Sequence, residues 1–361
     1  MPEAKNENAG RINGGFELSR QIEQQFIKFY QEQGHDHLPE HSLISPDQDL
    51  LYTIAGMIPF KPMFEGHQQP THKRVVTSQR CIRTNDINSV GKSKRHLTGF
   101  TMLGHFSFGD YFKQESICLG HKLVTEIYGI NSDNLIITVH PDDQETQEIW
   151  SKYVPPERIV LTYENIWSSG QPGILGQCTE FFYDFEPHKE LDSINLDSDR
   201  FLEFYNIVFV DSQADINGNI SPNPIKCIDS GLGLERLTYI LSNKKSIYEI
   251  DCFSQTFDNP ILKDHYRTCS WIMSEGITPS NSQHGYILRK LVRRMFHLGY
   301  KPQNNLIFLE EYEKYQKVLM LGKQELSKIT NPSESDFLNL YQTFGIPIEI
   351  SQQIINNKKI I

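Results

Sequence analysis

The sequence predicts an α+β fold, an antiparallel sheet with helices gathered at its ends, followed by a helical domain. Three observations predict it. Residues 74–83 ("RVVTSQRCIR") and 99–109 ("GFTMLGHFSFG") are rich in β-branched or aromatic side chains and flank a polar loop, the pattern of a long antiparallel hairpin. Short apolar runs at 135–140, 158–163, 178–185 and 203–210 supply further strands joined by hairpins and irregular loops. From about residue 251 the pattern turns helical. The expected division is a polar N-terminal arm over 1–15, a first domain over 16–250 and a helical domain over 251–361, with no obvious flexible linker between them.

The helices follow from periodicity and stop signals. Residues 17–33 carry Ile22, Phe26, Phe29 and Tyr30 on one side and end at Gly34-His35. A helix near 115–128 is closed by Gly129. From Leu234 onward Leu234, Leu237, Ile240 and Leu241 recur at spacings of three and four, so a helix with one buried face begins there. In the helical domain, helices are expected over 267–277, 285–300, 308–329 and 335–345.

Composition narrows the function. Over 361 residues, 38% are hydrophobic and 22% charged, the balance of a globular protein. No apolar run approaches the roughly 20 residues that span a bilayer, and the start carries no secretion-type apolar segment, so a cytoplasmic protein that does not enter a membrane is expected. The six cysteines are scattered without a CxxC pair and read as reduced thiols. The thirteen histidines lack metal-ligand spacing, so no fixed metal site is expected. A net charge of −10 argues against indiscriminate nucleic-acid binding but leaves room for a local basic patch.

Two stretches stand out. In "CIDSGLGLERLTYIL" (227–241), Asp229, Gly231 and Gly233 precede Glu235-Arg236 at the mouth of an apolar helix. Glycines there let a ligand approach the backbone, and an arginine can fork onto a phosphate; a flexible helix start with a surface ion pair is the plainer reading. The helix over 285–300 buries Ile287, Leu288, Leu291, Val292, Met295 and Phe296, while Arg289, Lys290, Arg293 and Arg294 place four cations with no acid between them. That face is either a solvated surface or a contact for a phosphate backbone.

Taken in order, "TSQRCIR", "MLGHFSFGDYF", "GQCTEFFYD", "NIVF", "DSGLGLER" and "PSNSQHGYILRKLVRR" resemble the catalytic half of the alanyl-tRNA synthetases, which are class II aminoacyl-tRNA synthetases. The resemblance implies a class II synthetase-like antiparallel sheet flanked by helices. It also implies ATP-dependent activation of alanine, or a similarly small amino acid, to an adenylate and its transfer to the acceptor stem of a tRNA. "SGLGLER" resembles motif 3, whose arginine, Arg236, meets the ATP phosphates. "TSQRCIR" resembles motif 2, where Arg83 contacts the α-phosphate and the amino acid's carboxylate. These two are the implied catalytic residues, with Phe100, Glu180 and Glu203 joining them at ATP. Mg²⁺ would bridge phosphates through acids such as Glu180 or Glu203. Asp229 pairs with the substrate ammonium, and Trp167, Asn206 and Gly231 shape the small pocket, Gly231 leaving its wall open. From the residues alone, Trp167 could also be core packing and Asp229 a helix N-cap.

Planar guanidinium groups suit this chemistry because a carboxylate must meet the α-phosphorus of ATP, bringing two anions together while pyrophosphate leaves. The chain departs from the family's pattern at Thr101, where a glutamate is usual, at Gly99, where an aromatic is usual, and in a shortened motif 2 loop that keeps Lys92, Lys94 and Arg95. Asn281 stands where the family reads a wobble pair of the acceptor stem, and Gln342 where it has aspartate; Arg289, Lys290, Arg293 and Arg294 would place the backbone. An amide donates as well as accepts, so Gln342 could change the preferred pair. Ending at "NNKKII", the chain is expected to lack the family's editing and C-terminal domains. Two alternatives remain: a paralogue that gives its adenylate to a non-tRNA acceptor, and a non-catalytic tRNA-binding protein.

Overall fold

The computed structural model describes residues 18–191, 194–254, 256–329, 332–344, 346 and 351–352. The polar arm expected over 1–15 lies outside them. The chain divides into two compact units, Met1–Pro260 and Ile261–Ile361.

The first unit opens with α1 (Leu18–Glu32), which buries Ile22, Phe26, Phe29 and Tyr30 as its spacing predicts and stops where Gly34 takes a positive φ of 82°. The short strand β1 (Asp36–His37) and the helical turn α2 (Lys61–Phe64) lead to the hairpin of β2 (Arg74–Ile82) and β3 (Gly99–Phe108). Its register runs unbroken from Arg74 opposite Ser107 to Ile82 opposite Gly99. Then come α3 (Lys113–Lys122), which continues into a π-helical turn, β4 (Leu135–Val139), α4 (Gln144–Trp150), β5 (Ile159–Leu161) and β6 (Ile166–Ser168). Three long strands, β7 (Gly173–Asp184), β8 (Phe201–Ala214) and β9 (Ile220–Gly233), precede α5 (Leu234–Leu241).

These strands form one nine-stranded sheet in the order β1-β2-β3-β9-β8-β7-β4-β5, with β6 added against β7. Its centre is antiparallel as expected, but β1 joins β2 and β4 joins β5 in parallel at the two edges, so the sheet is mixed. The sequence reading missed β1, β6 and β9. The strand β9 takes in the stretch that reads as a helix's glycine-rich first turn: Asp229, Gly231 and Gly233 lie on the strand, and the helix starts only after them. Asp229 is therefore no N-cap; Gly233 holds that position without a side-chain bond.

Alternation along the strands builds two cores. On one face Leu103, Ile207, Phe209, Ile228 and Leu232 pack with the helices α1, α3 and α5; on the other Phe106, Phe108, Cys178, Val208, Val210 and Cys227 pack with Met57, Phe60 and Phe64. One β-bulge breaks that alternation usefully. Phe181 pairs with Tyr205 but Phe182 with Glu203, leaving Phe204 unopposed on β8. The extra residue brings Glu203 and Asn206, three apart, to one face instead of opposite faces.

The second unit holds α6 (Pro260–Ser274), α7 (Gln283–His297), α8 (Leu306–Ser327) and α9 (Glu334–Phe344). The six apolar residues expected to face the core from α7 are all buried. Phe296 of α7 meets Tyr312 edge-on, with ring centroids 4.9 Å apart, and Asn305 caps α8 by accepting from the backbone N–H of Phe308 at 3.0 Å. No helix among the described residues is long and apolar enough to cross a membrane, and all six cysteines are free thiols.

Candidate active site

A cavity of about 320 Å³ opens on the sheet face that carries the Phe106–Val208 core, at the ends of β3, β8 and β9. Eight of the residues that the resemblance implies for ATP or the amino acid line it, Arg83, Phe100, Trp167, Glu203, Asn206, Asp229, Gly231 and Arg236, together with Arg95, Gly233 and Glu235, which the sequence also brought forward. They come together because the strands alternate. Residues 229, 231 and 233 share one face of β9, 206 and 208 that of β8, and 100 and 102 that of β3.

Asp229 is a buried acid in this lining. It is opposite Val208 in the register, while Gly231 is opposite Asn206. Burial pushes the Asp229 carboxyl up to about 7, offset only in part by the Ser230 N–H, and among the described residues no cation pairs with it. The Asn206 side-chain oxygen is also buried and has no hydrogen-bond partner. A buried acid without a cation and an orphaned amide oxygen line one cavity, an arrangement that a ligand with several N–H donors would relieve.

The arginines are held by different means. Arg83 follows β2; its Nε donates to the carbonyl of Ile54 at 3.1 Å, and its guanidinium lies 4.9 Å from the centre of the Phe100 ring. Arg236 enters from the first turn of α5. Its Nη1 donates to the Glu203 carboxylate at 2.9 Å and to the Glu203 carbonyl at 2.8 Å, and its Nη2 to the carbonyl of Arg95 at 3.0 Å. Next to it in sequence, the buried Glu235 turns inward and accepts the backbone N–H of Thr101 through both oxygens, at 3.1 and 3.0 Å.

Glu180 does not line the cavity. It stands opposite Asn206 on the neighbouring strand β7, accepts from Thr138 Oγ1 at 3.1 Å, and is pushed up to about 7 by burial and by the charge of Glu203. Trp167 lines the cavity and also packs against the core. Gly231 lines the cavity, and a Cβ built there would come within 2.8 Å of the Met102 sulfur, so the missing side chain also makes room for Met102. Met102 and Val208 were overlooked, although both lie two residues along a strand from a residue already chosen. Arg95 and Asp86 come from the loop between β2 and β3, where no periodicity points inward, and Ala55 from a loop with no sequence signal at all.

In the second unit the basic face of α7 is not what its sequence suggests. Arg293 Nε donates to Glu311 Oε1 of α8 at 2.8 Å, and Arg289 Nε lies 3.2 Å from the same oxygen; Glu311 is 1% exposed. Two of the four cations are thus turned toward a buried acid supplied by another helix, and of the four only Lys290 is exposed. Arg294 is half-buried. Asn281 and Gln342 are both exposed, one in the turn before α7 and the other on α9, and no hydrogen bond joins them among the described residues.

The cavity thus brings the buried acid of β9 together with Arg83, which follows β2, and Arg236 of α5. The family model for tRNA synthetases class II (A) matches residues 21–310, and the chain belongs to that family. Among curated proteins it is similar to the alanine--tRNA ligase of Prochlorococcus marinus (strain AS9601), 39% identical over 400 residues, covering 94% of this chain and 45% of that protein. The alanine--tRNA ligase of Crocosphaera subtropica (strain ATCC 51142 / BH68) is 35% identical over 401 residues, covering 94% and 46%. The chain spans about half the length of these curated relatives. Of solved structures, pyrrolysyl-tRNA synthetase from Desulfitobacterium hafniense aligns over 67% of this chain and 76% of its own at 12% identity, with a TM-score of 0.41.

Proposed function

We propose that the chain activates alanine with ATP to alanyl-adenylate in the cavity of its first unit and passes the alanyl group to a tRNA acceptor end, with the second unit binding the acceptor stem. The observation that carries this reading is Asp229: a buried carboxylate near an orphaned Asn206 oxygen, with no cation of its own among the described residues, in a cavity that Arg83 and Arg236 also line. An amino acid's ammonium supplies the missing donors, and the small space bounded by Val208, Met102 and Trp167 suits a methyl side chain.

With the ammonium fixed at Asp229, the carboxylate is directed toward Arg83, whose guanidinium is oriented by Phe100 and the Ile54 carbonyl. Arg83 would neutralise the α-phosphate as the carboxylate oxygen bonds to phosphorus and the bond to pyrophosphate breaks. Arg236 would meet the phosphates that leave, exchanging its Glu203 contact for theirs. Glu203, which lines the cavity, and Glu180, opposite Asn206 on the next strand, are the acids that would hold a divalent cation. Mg²⁺ bound there would shield phosphate charge. The test is to incubate the chain with ATP, labelled alanine and total tRNA, following pyrophosphate exchange and acid-precipitable label separately. Both signals are expected; exchange without label on tRNA would move the acceptor to another molecule, and neither would sink the reading.

A further inference from the structure

We infer that Arg289 is a positioning residue that fixes the side-chain amide of Asn281, so that the amide's NH₂ group, and not its oxygen, is offered to the nucleic acid. The inference rests on the reading that the second unit binds an acceptor stem.

The geometry is a short chain of contacts inside that unit. Glu311, buried on α8, accepts a hydrogen bond from Arg293 Nε through Oε1; the same oxygen lies 3.2 Å from Arg289 Nε as an ion pair without a hydrogen bond, and Oε2 has no hydrogen-bond partner. Thus anchored, Arg289 points its fork out of the helix toward the preceding turn: Nη1 donates to Asn281 Oδ1 and Nη2 to the carbonyl of Pro279 at 3.3 Å. A guanidinium has donors only, so it can face an amide only at its oxygen. The nitrogen of Asn281 is left outward on an exposed residue, where no hydrogen bond occupies it among the described residues.

The consequence is a fixed polarity. Left to itself an exposed asparagine can turn by half a rotation and offer either end, accepting from an amino group or donating to a base nitrogen or oxygen. With its oxygen turned to Arg289, Asn281 offers its NH₂ group outward, which suits an acceptor atom on a base edge or a ribose oxygen in the wide, shallow groove of an RNA helix. Arg289 then acts on sequence preference through Asn281. A direct phosphate contact would instead raise affinity for every RNA alike.

The experiment uses the whole chain and a set of acceptor-stem hairpins that differ in one base pair, with binding measured at several salt concentrations. Three proteins are compared: the parent, Arg289→Lys, which keeps the charge and loses the fork, and Asn281→Asp, which keeps the shape and the partner of Arg289 but has no donor. Thermal melting checks that each is folded. The parent is expected to rank the hairpins, and both variants to lose that ranking by roughly tenfold at unchanged salt dependence. Arg289→Lys that ranks hairpins as the parent does, while binding all of them more weakly with a shallower salt slope, makes Arg289 a phosphate contact and overturns the inference. Asn281→Asp with the parental ranking overturns it too, because the donor would then be irrelevant. A parent that binds hairpins without any ranking, or not at all, fails the acceptor-stem reading itself.

Discussion

The Arg236 guanidinium is engaged on both sides before any phosphate arrives: Nη1 lies 2.9 Å from the Glu203 carboxylate and Nη2 3.0 Å from the Arg95 carbonyl. The bulge at Phe204 makes the first contact possible by bringing Glu203 to the cavity face. A lysine cannot span two partners in this way. Arg236→Lys is therefore expected to lower alanine-dependent pyrophosphate exchange by at least about tenfold, the scale of a lost charge-assisted bond. An exchange rate equal to the parent's would remove Arg236 from the reaction.

Asp229 makes stability depend on pH in a definite direction. Its carboxyl is raised from 3.8 to about 7, so between those values the folded chain holds a proton that the unfolded chain has released. Folding is thus favoured at the acid end, and this contribution is lost as pH rises toward 7, by about 3 kcal/mol between roughly pH 5 and pH 8. Glu180 moves the same way. Urea unfolding of the parent and of Asp229→Asn at the two pH values isolates the Asp229 share; equal slopes in the two proteins would contradict it.

The same carboxyl should govern alanine binding. An ammonium favours the ionised form, so occupancy near pH 7 is expected to release a proton and to tighten as pH rises through 7. Calorimetry in buffers of different ionisation enthalpy reads the proton directly. Asp229→Asn should release none and bind alanine at least tenfold more weakly, as expected when a charge partner is removed.

Gly231→Ala probes the wall. The new Cβ would press on the Met102 sulfur, which is part of a flexible side chain, so the cost in stability should stay near about 1 kcal/mol. Met102 must then move, and because it lines the cavity the KM for alanine should rise more than kcat falls. A parental KM would mean that the alanine site lies elsewhere.

Glu311→Ala should destabilise the helical unit. Two guanidinium groups with side chains only 17% and 12% exposed would lose their shared acid, a loss of about 3 kcal/mol for a broken buried pair. The measurable outcome is a lower melting temperature that added salt does not erase, since buried pairs are little screened. Unchanged melting would return Arg289 and Arg293 to the surface.

Much of this protein was determined by sequence alone. The β-branched and aromatic residues of 74–83 and 99–109 on either side of a polar loop predicted a hairpin, and the spacing of Ile287, Leu288, Leu291, Val292, Met295 and Phe296 predicted the buried face of α7, because each pattern is set by neighbours within a few residues. The ordered motifs led to the residues that line the cavity. Tertiary structure alone decided how they are used. That Asp229 and the glycines end a strand, that Met102 fills the space at Gly231, that a bulge turns Glu203 toward Arg236, and that Glu311 draws in Arg289 and Arg293 all depend on partners from distant segments. Local sequence sets which face a side chain takes, but the charge or atom it meets there comes from another strand or helix, and only folding brings the two together.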